Sequence, residues 1–205
     1  MSKAEPTTRE RILEAARQEF LEKGYQGAWL RDISRKAHVT TGALYGYFKN
    51  KEELFGALVG DCYNGIQSMY RDALTLFSQL PLEQQKTCME SLSTEHMIRM
   101  ADYMYDHYDA FKLLLCCSQD TEYSDLTEQM ALLDEQASGE FVDAANAAGG
   151  SISKVSPRLE HILTTGLFTM FFELIIHDIP REEARDYITS LMHFFTTGYS
   201  GIMGF

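Results

Sequence analysis

Five polar side chains that could bind a polyanion lie within one ten-residue stretch of the chain. Thr40, Thr41, Tyr45, Tyr47 and Lys49 supply four hydroxyl groups and one amine. Such groups form hydrogen bonds with the phosphates and the base edges of DNA. For Tyr47 the alternative is packing against the first helix, and for Lys49 it is an ordinary solvated lysine. The chemistry that the cluster predicts is DNA binding.

The hydrophobic pattern predicts a helical scaffold for this cluster. Apolar residues recur with a helical period through nearly the whole chain, and no convincing run alternates as a β-strand would. A first helix is predicted at about 9–23, with Thr7 and Glu10 as a capping box and Gly24 at its end. Short helices follow at about 29–37 and from Thr40, a capping residue, to about Tyr47. This arrangement is typical of a helix-turn-helix.

The remaining helices form a second predicted region. Asn50 and Glu53 have the spacing of a capping box before a long helix at about 51–77. Further helices are predicted at about 82–91, 94–108, 110–117, 124–147, 157–177 and 180–199, with 149–155 as the best candidate for a mobile loop. We therefore predict an all-α protein. A helix-turn-helix domain at 1–55 precedes a helical region at 56–205.

Charge is divided unevenly between these regions. The chain has a net charge of -12, but residues 1–60 hold 10 Lys/Arg and 8 Asp/Glu, a net of +2, and residues 61–205 hold 8 and 22, a net of -14. Since DNA affinity comes largely from neutralised phosphates, only the first region suits DNA. The alternative is an acidic surface that only aids solubility.

No signal peptide, membrane span or metal site is expected. The most apolar run, Leu167 to Ile176, contains Glu173 and is too short to cross a bilayer. The four cysteines lack metal-ligand spacing, so a reducing cytoplasm is the expected location, without a cofactor. Adjacent Cys116 and Cys117 could form only a strained disulfide, and a core or pocket role is preferred over a redox switch. Glu173 and His177 lie one helical turn apart, and a hydrogen bond is preferred over a metal.

Residues 9–55 resemble the TetR family of bacterial regulators. The resemblance is carried by Arg11–Ala16, Phe20, Gly24-Tyr25, Arg31–Ser34, Ala37–Val39 and, most specifically, the run from Gly42 to Leu54. It implies that Thr40, Thr41 and Gly42 begin a recognition helix in the major groove. It also implies that Tyr45 and Tyr47 contact backbone and sugar, that Lys49 contacts a phosphate, and that Leu44 and Phe48 are core residues.

The sequence departs from the family pattern near Trp29, where many relatives have a Ser/Thr cap. The indole could donate a hydrogen bond to a phosphate, but burial or mixed use is the preferred interpretation. Residues 40–47 contain no arginine, the residue that most often reads guanine. Threonine contacts, phosphate contacts and DNA shape are therefore expected to contribute more.

The resemblance also implies that residues 56–205 are a helical ligand-binding and dimerisation domain, with a dimer interface and an effector pocket. Apolar stripes on 157–177 and 181–202 predict a four-helix homodimer interface, which would place two recognition helices about one DNA turn apart, roughly 34–36 Å; the alternative is monomer core. A pocket for an unknown small-molecule effector is predicted at Met97, Met100, Met104, Tyr108, Phe111, Phe168 and Phe172, with core packing as the alternative for each.

The predicted function is a ligand-responsive transcriptional regulator, a repressor that a small molecule releases from double-stranded operator DNA. One alternative is a ligand-independent DNA-binding regulator or DNA-organising protein without an effector pocket. The other is an all-helical enzyme. It is disfavoured, because no phosphate loop, nucleophile elbow or zinc-protease motif occurs in the sequence.

Overall fold

The computed structural model describes residues 5–204, and every regular element in that range is an α-helix. The helices are α1 (Thr8–Gly27), α2 (Leu30–Lys36), α3 (Thr41–Tyr45), α4 (Lys51–Ser78), α5 (Leu82–Asp106), α6 (Tyr108–Cys116), α7 (Leu126–Ala147), α8 (Pro157–Ile176) and α9 (Arg181–Met203). The predicted all-α fold class is confirmed.

Helix α1 begins at the predicted capping box. The Glu10 backbone N–H donates to the Thr7 hydroxyl at 3.2 Å, and the Thr7 N–H donates to the Glu10 carboxylate at 2.7 Å. Gly24 has φ 68°, outside the helical region. Since glycine adopts positive φ at little steric cost, the regular helix ends where Gly24 was predicted to end it.

The junction of α3 and α4 is capped twice. The Ala43 N–H donates to the Thr40 hydroxyl at 3.1 Å, which fixes the start of α3. The Glu53 N–H donates to the Asn50 side-chain oxygen at 2.7 Å, which confirms Asn50 as a capping residue. The Glu53 carboxylate accepts from the Lys49 N–H, so the reciprocal bond lies one residue earlier than a capping box would put it.

Helix α5 corrects the prediction of two helices at 82–91 and 94–108. The helix is continuous through its polar middle because the hydroxyls there bond back to the helix itself. Ser91 donates to the Cys88 carbonyl at 3.1 Å, and Thr94 donates to the Glu90 carbonyl at 2.7 Å. These side chains compete with a helix only when they bond elsewhere.

The chain forms two compact units. The described part of the first comprises residues 5–64 and 107–124, so α6 and the loop after it belong with α1, α2 and α3. Its core includes Ile12, Phe20, Ile33, Leu44 and Phe55, all fully buried. The functional division at residue 55 stays a prediction, because these units are defined by packing alone.

The second unit comprises residues 65–106 and 125–204 of the described chain. Helix α8 lies in its core, with Phe168, Phe171, Phe172, Leu174 and Ile175 buried. The apolar run from Leu167 is thus half of a longer helix. With 20 residues and a mean hydropathy of 1.5, α8 could cross a membrane by length and composition, a test that core helices of soluble proteins also pass.

The segment predicted as a mobile loop is held at its centre. The Asn146 side chain donates to the Ile152 carbonyl at 3.0 Å and accepts from the Ile152 N–H at 2.8 Å. The Ser153 N–H donates to the Met203 carbonyl at 3.0 Å. Ile152 itself is buried with Val142 and Met203. These contacts tie the segment to both α7 and α9.

Candidate DNA-binding surface and effector cavity

The recognition helix presents the predicted polar side chains on the surface. Tyr45 and Tyr47 are 51% and 48% exposed, and Lys49 is exposed and makes no ion pair within the described chain. Thr40 and Gly42 are also exposed, and Thr41 is half-buried. Leu44 and Phe48, the two predicted core residues, are 0% and 3% exposed. The structure thus gathers all six predicted DNA-contact residues at α3 and its exit.

The exposure of Trp29 contradicts burial of its ring, which was one part of the preferred interpretation of burial or mixed use. The side chain is 69% exposed, and it caps α2 without a side-chain hydrogen bond. The ring extends to solvent at the start of α2, next to the exposed Arg31. The alternative, a hydrogen bond from the indole N–H to a DNA phosphate, stays a prediction.

Lys51 fixes the turn between α1 and α2, and the sequence analysis did not identify this role. Its ammonium donates to the Tyr25 carbonyl at 2.7 Å and to the Ala28 carbonyl at 3.3 Å. It also lies 4.4 Å from the centre of the Tyr25 ring, within the range of a cation–π contact. Burial lowers the pKa of Lys51. In the sequence, Lys51 lies at the acidic start of α4, so nothing distinguishes it from an ordinary surface lysine.

A buried carboxylate joins α1 to α2. Glu19 has no exposed side-chain surface, and it receives Lys23 at 2.5 Å and Lys36 at 2.6 Å. Burial acts to raise the pKa of Glu19, but the hydrogen bonds from the two lysines outweigh burial, and the pKa lies below its ordinary value. The carboxylate therefore stays ionised and holds the first helix of the helix-turn-helix to α1.

Helix α6 and the loop after it pack against α1 and α4 within the same unit. The Tyr25 N–H donates to the Cys117 carbonyl at 3.0 Å, and Arg17 contacts Asp109. Tyr123 packs against Phe55 and Tyr63, with ring centres 6.1 and 5.4 Å apart. The recognition helix therefore rests on a scaffold that includes residues more than fifty positions away in sequence.

A cavity of about 160 Å³ lies inside the second unit. Its walls come from α4, α5, α7, α8 and α9 and are mainly apolar. The lining residues are Tyr70, Ala73, Leu74, Phe77, Met89, Ser93, His96, Met97, Asp134, Ala137, Ser138, Phe141, Leu167, Met192, Phe195, Thr196, Tyr199 and Met203.

One of the residues predicted for a pocket lines this cavity. That residue is Met97. Met100, Met104, Phe168 and Phe172 are at most 1% exposed, are not among the lining residues and pack in the second unit's interior. The other two, Tyr108 and Phe111, belong to the first unit. The cavity thus uses a different face of α5 and the aromatic residues of α4, α7 and α9, and the predicted pocket list stays a prediction.

The cavity contains an acidic group that the sequence analysis missed. The Tyr70 hydroxyl donates to the Asp134 carboxylate. Burial raises the pKa of Asp134 to about 6, although the hydrogen bond from Tyr70 acts to lower it. Burial, and then the negative charge of Asp134, raises the pKa of Tyr70 well above its ordinary value. Nothing in the sequence distinguishes Asp134 from the other acids of α7.

Two further polar groups line the same cavity. The Tyr199 hydroxyl is buried and has no hydrogen-bond partner in the described structure. Burial raises the pKa of Tyr199, and the charges of Asp134, Glu160 and Glu135 raise it further. Burial and then Arg99 lower the pKa of His96, which favours the neutral ring.

Helices α8 and α9 each carry exposed apolar side chains. On α8, Leu159, Ile162 and Met170 are 40%, 59% and 40% exposed, and on α9, Phe194 and Ile202 are 67% and 45% exposed. Their spacing of three or eight residues puts neighbouring members of each set on one side of their helix. The predicted dimer interface stays a prediction.

The two weaker chemical candidates have structural explanations. Cys117 is buried and Cys116 exposed, and both are thiols. His177 Nε2 lies 2.6 Å from Glu173 Oε2, so the two side chains meet across one helical turn, and the preference for a hydrogen bond over a metal stays a prediction. No group of three or more metal-ligating side chains occurs among residues 5–204.

Sequence comparison gives the helix-turn-helix its family. Residues 12–58 match the model of the bacterial regulatory proteins, tetR family. The chain is 46% identical over 57 residues to the transposon Tn10 TetC protein of Escherichia coli, covering 28% of this chain and 27% of that protein. It is 46% identical over 52 residues to the HTH-type transcriptional regulator TtgR of Pseudomonas putida, covering 25% of each.

Solved structures extend the likeness in fold to nearly the whole chain. The regulator PfmR of Thermus thermophilus superposes with a TM-score of 0.60 at 20% identity, over 93% of this chain and 96% of that one. NalD, a repressor of an efflux pump in Pseudomonas aeruginosa, gives 0.56 at 21%, over 92% and 94%. At these identities the likeness shows a shared fold.

The first unit therefore contains a helix-turn-helix. The predicted resemblance to the TetR family is confirmed, and residues 12–58 carry it. The sequence matches span less than a third of the named curated relatives.

Proposed function

We propose that this chain is a transcriptional repressor that binds operator DNA as a homodimer and leaves it when a small molecule occupies the cavity of the second unit. The observation that carries the proposal is the exposed recognition helix with its unpaired Lys49. Lys49, Tyr45 and Tyr47 supply phosphate and sugar contacts, and Thr40 and Thr41 lie at the helix start, where major-groove edges are read. Repressors and regulators of this type act in the cytoplasm.

Helix α4 supplies a physical route from ligand to DNA. Its residues 51–64 belong to the first unit and 65–78 to the second. Lys51 anchors the helix-turn-helix at one end, and Tyr70 and Phe77 line the cavity at the other. A ligand that shifts the C-terminal half of α4 therefore acts on the element that fixes the turn between α1 and α2.

The cavity is the observation that favours an effector over ligand-independent binding. An apolar cavity with a few polar groups is the usual form of a small-molecule site. A regulator that only organises DNA has no need of one. Since the second unit is strongly acidic, its contribution to DNA binding is expected to be dimerisation rather than phosphate contact.

The test is fluorescence anisotropy with a labelled duplex taken from the promoter upstream of the protein's own gene. We expect saturable binding that weakens as salt is raised, and at least about tenfold weaker binding to a scrambled duplex. Binding that ignores sequence would favour the DNA-organising alternative. No salt-sensitive binding at any protein concentration would contradict the proposal.

A further inference from the structure

The cavity of the second unit combines an apolar volume with one half-buried acid. Its volume of about 160 Å³ is close to that of engineered apolar cavities of about 150 Å³, which hold a benzene molecule. Phe77, Phe141 and Phe195 supply aromatic walls. A ligand of one ring with a short substituent therefore fits the space.

The polar groups at the cavity leave bonding capacity for a ligand. Asp134 receives one hydrogen bond, from Tyr70, whereas a carboxylate has two oxygens and about four acceptor sites. The Tyr199 hydroxyl has no partner among the described residues. A buried polar atom without a hydrogen bond is costly, and a ligand that bonds to it removes that cost.

The charged groups that act on the Tyr199 hydroxyl are all acidic. Asp134, Glu135 and Glu160 all act on the Tyr199 hydroxyl, while Glu135 also bonds His161 and Thr164 at 3.0 Å. No lysine or arginine occurs among the described lining residues, and His96 is the one lining side chain with a basic nitrogen. Burial lowers the pKa of His96, so it does not supply a compensating positive charge near neutral pH.

We propose that the effector is an organic ammonium ion with an aromatic or aliphatic body. Its nitrogen pairs with the Asp134 carboxylate and the oxygen of the Tyr199 hydroxyl, and its body packs against Met97, Phe141 and Phe195. Calling this ligand an effector rests on the proposed function, but its binding to the cavity does not require DNA. Aromatic faces close to the acid add cation–π attraction for the same charge.

A matched set of three ligands tests the charge. Benzylammonium is the cation, ethylbenzene is its uncharged carbon isostere, and phenylmethanesulfonate is an anion on the same ring. Binding to the full-length protein without DNA is measured by isothermal titration calorimetry at pH 7.5. We expect the cation to bind at least about tenfold more tightly than the isostere, since a charge-assisted hydrogen bond supplies that much, and the anion not to bind.

Two variants assign the contact to its atoms. Asp134→Asn keeps the shape and an acceptor for Tyr70 but removes the charge, and it should lower affinity for the cation about tenfold or more. Tyr199→Phe removes a hydroxyl without an internal partner, so the fold is retained and cation affinity falls about threefold to tenfold. Glu140→Gln is the control, because it removes one negative charge from an exposed position of the same helix.

The outcomes separate this inference from the proposed function. Equal affinities for cation and isostere, no binding of any of the three ligands, or an unchanged Asp134→Asn variant would overturn the ammonium assignment. DNA binding by the ligand-free protein, measured separately by anisotropy, tests whether the chain is a DNA-binding regulator. If the protein binds the cation through Asp134 but does not bind its promoter, the ammonium site is supported and the proposed function is contradicted.

Discussion

The pKa of Asp134, raised to about 6, has a consequence for stability. A carboxyl whose pKa is higher in the folded than in the unfolded protein favours folding when it is protonated. That contribution is complete below about pH 4, the unfolded pKa, and is lost as pH rises through about 6. Asp134 therefore lowers the stability of the protein at neutral pH.

Asp134→Asn should consequently stabilise the ligand-free protein at pH 7.5. The expected gain is up to about 3 kcal/mol, from a pKa difference of about two units, and it should shrink towards zero at about pH 4. Urea unfolding of both proteins between pH 4 and 8 measures the difference. Equal stabilities throughout that range would mean that burial of Asp134 has no energetic effect.

Ligand binding should follow the same ionisation. Protonation of Asp134 removes the charge that attracts an ammonium ion, so cation affinity should fall as pH decreases through about 6. The groups that face the carboxylate are Tyr70 from α4, Tyr199 from α9 and the acids Glu135 and Glu160 from α7 and α8. Calorimetric titrations of the cation from pH 5 to 8 measure this dependence, and the affinity for ethylbenzene should stay constant.

Lys49 and Lys51 lie one residue before and one residue after the cap Asn50. They have different roles, and a pair of variants separates these roles. Lys49→Met should keep the stability of the protein and reduce the slope of log affinity against log salt by about one. Lys51→Met leaves the Tyr25 and Ala28 carbonyls without their donor and should lower stability by roughly 1–3 kcal/mol. Urea unfolding measures the stability of both variants, and salt-dependent anisotropy measures their DNA affinity.

At the scale of elements, the packing of α4 against the loop after α6 depends on a glycine. A Cβ built at Gly56 would lie 2.6 Å from the Tyr123 hydroxyl oxygen. Gly56→Ala should therefore destabilise the protein by about 1–3 kcal/mol. Combined with Tyr123→Phe, the same change should cost little, because the nearest ring carbon lies at 3.4 Å.

A double-mutant cycle in urea measures this coupling. Gly139→Ala is the control, since no atom lies within 4 Å of its added Cβ, and it should stabilise α7 by about 0.5–1 kcal/mol. Additive effects of Gly56→Ala and Tyr123→Phe would show that the hydroxyl is not the obstacle.

The helix-turn-helix could be predicted because its determinants are local. Capping by Thr7, Thr40 and Asn50, the break at Gly24 and the apolar period of α1 are all contained in short stretches of sequence. The continuity of α5 could not be predicted in the same way. Ser91 and Thr94 suit a break as well as a helix, and only their bonds back to the helix carbonyls decide between the two.

The cavity could be predicted only as a class of site. Met97, Met100 and Met104 all lie on the apolar side of α5, but which of them borders empty space depends on packing by helices distant in sequence. Asp134 is one of several acids on α7, and its burial is a tertiary property. Trp29 was misjudged for a related reason: a large aromatic ring favours burial, but no neighbour in the first unit covers it.

At the scale of the whole molecule, the exposed stripes of α8 and α9 are expected to pair with those of a second copy. Ile162→Glu and Phe194→Glu put a charge at the most exposed apolar position of each stripe and should convert the dimer to monomer. Leu76→Glu, at a similarly exposed position of α4, is the control. Light scattering on the eluted proteins gives the masses, and a monomeric wild type would contradict the dimer.

The exposed Trp29 makes the protein its own optical reporter. It is the chain's one tryptophan, and it lies at the start of α2 in the unit proposed to bind DNA. Its emission should resemble that of an indole in water when the protein is free and should shift or quench when a duplex covers α2. A cation entering the cavity of the second unit lies among tyrosines and phenylalanines instead. Occupancy of the DNA can thus be followed by intrinsic fluorescence, with no label on either molecule.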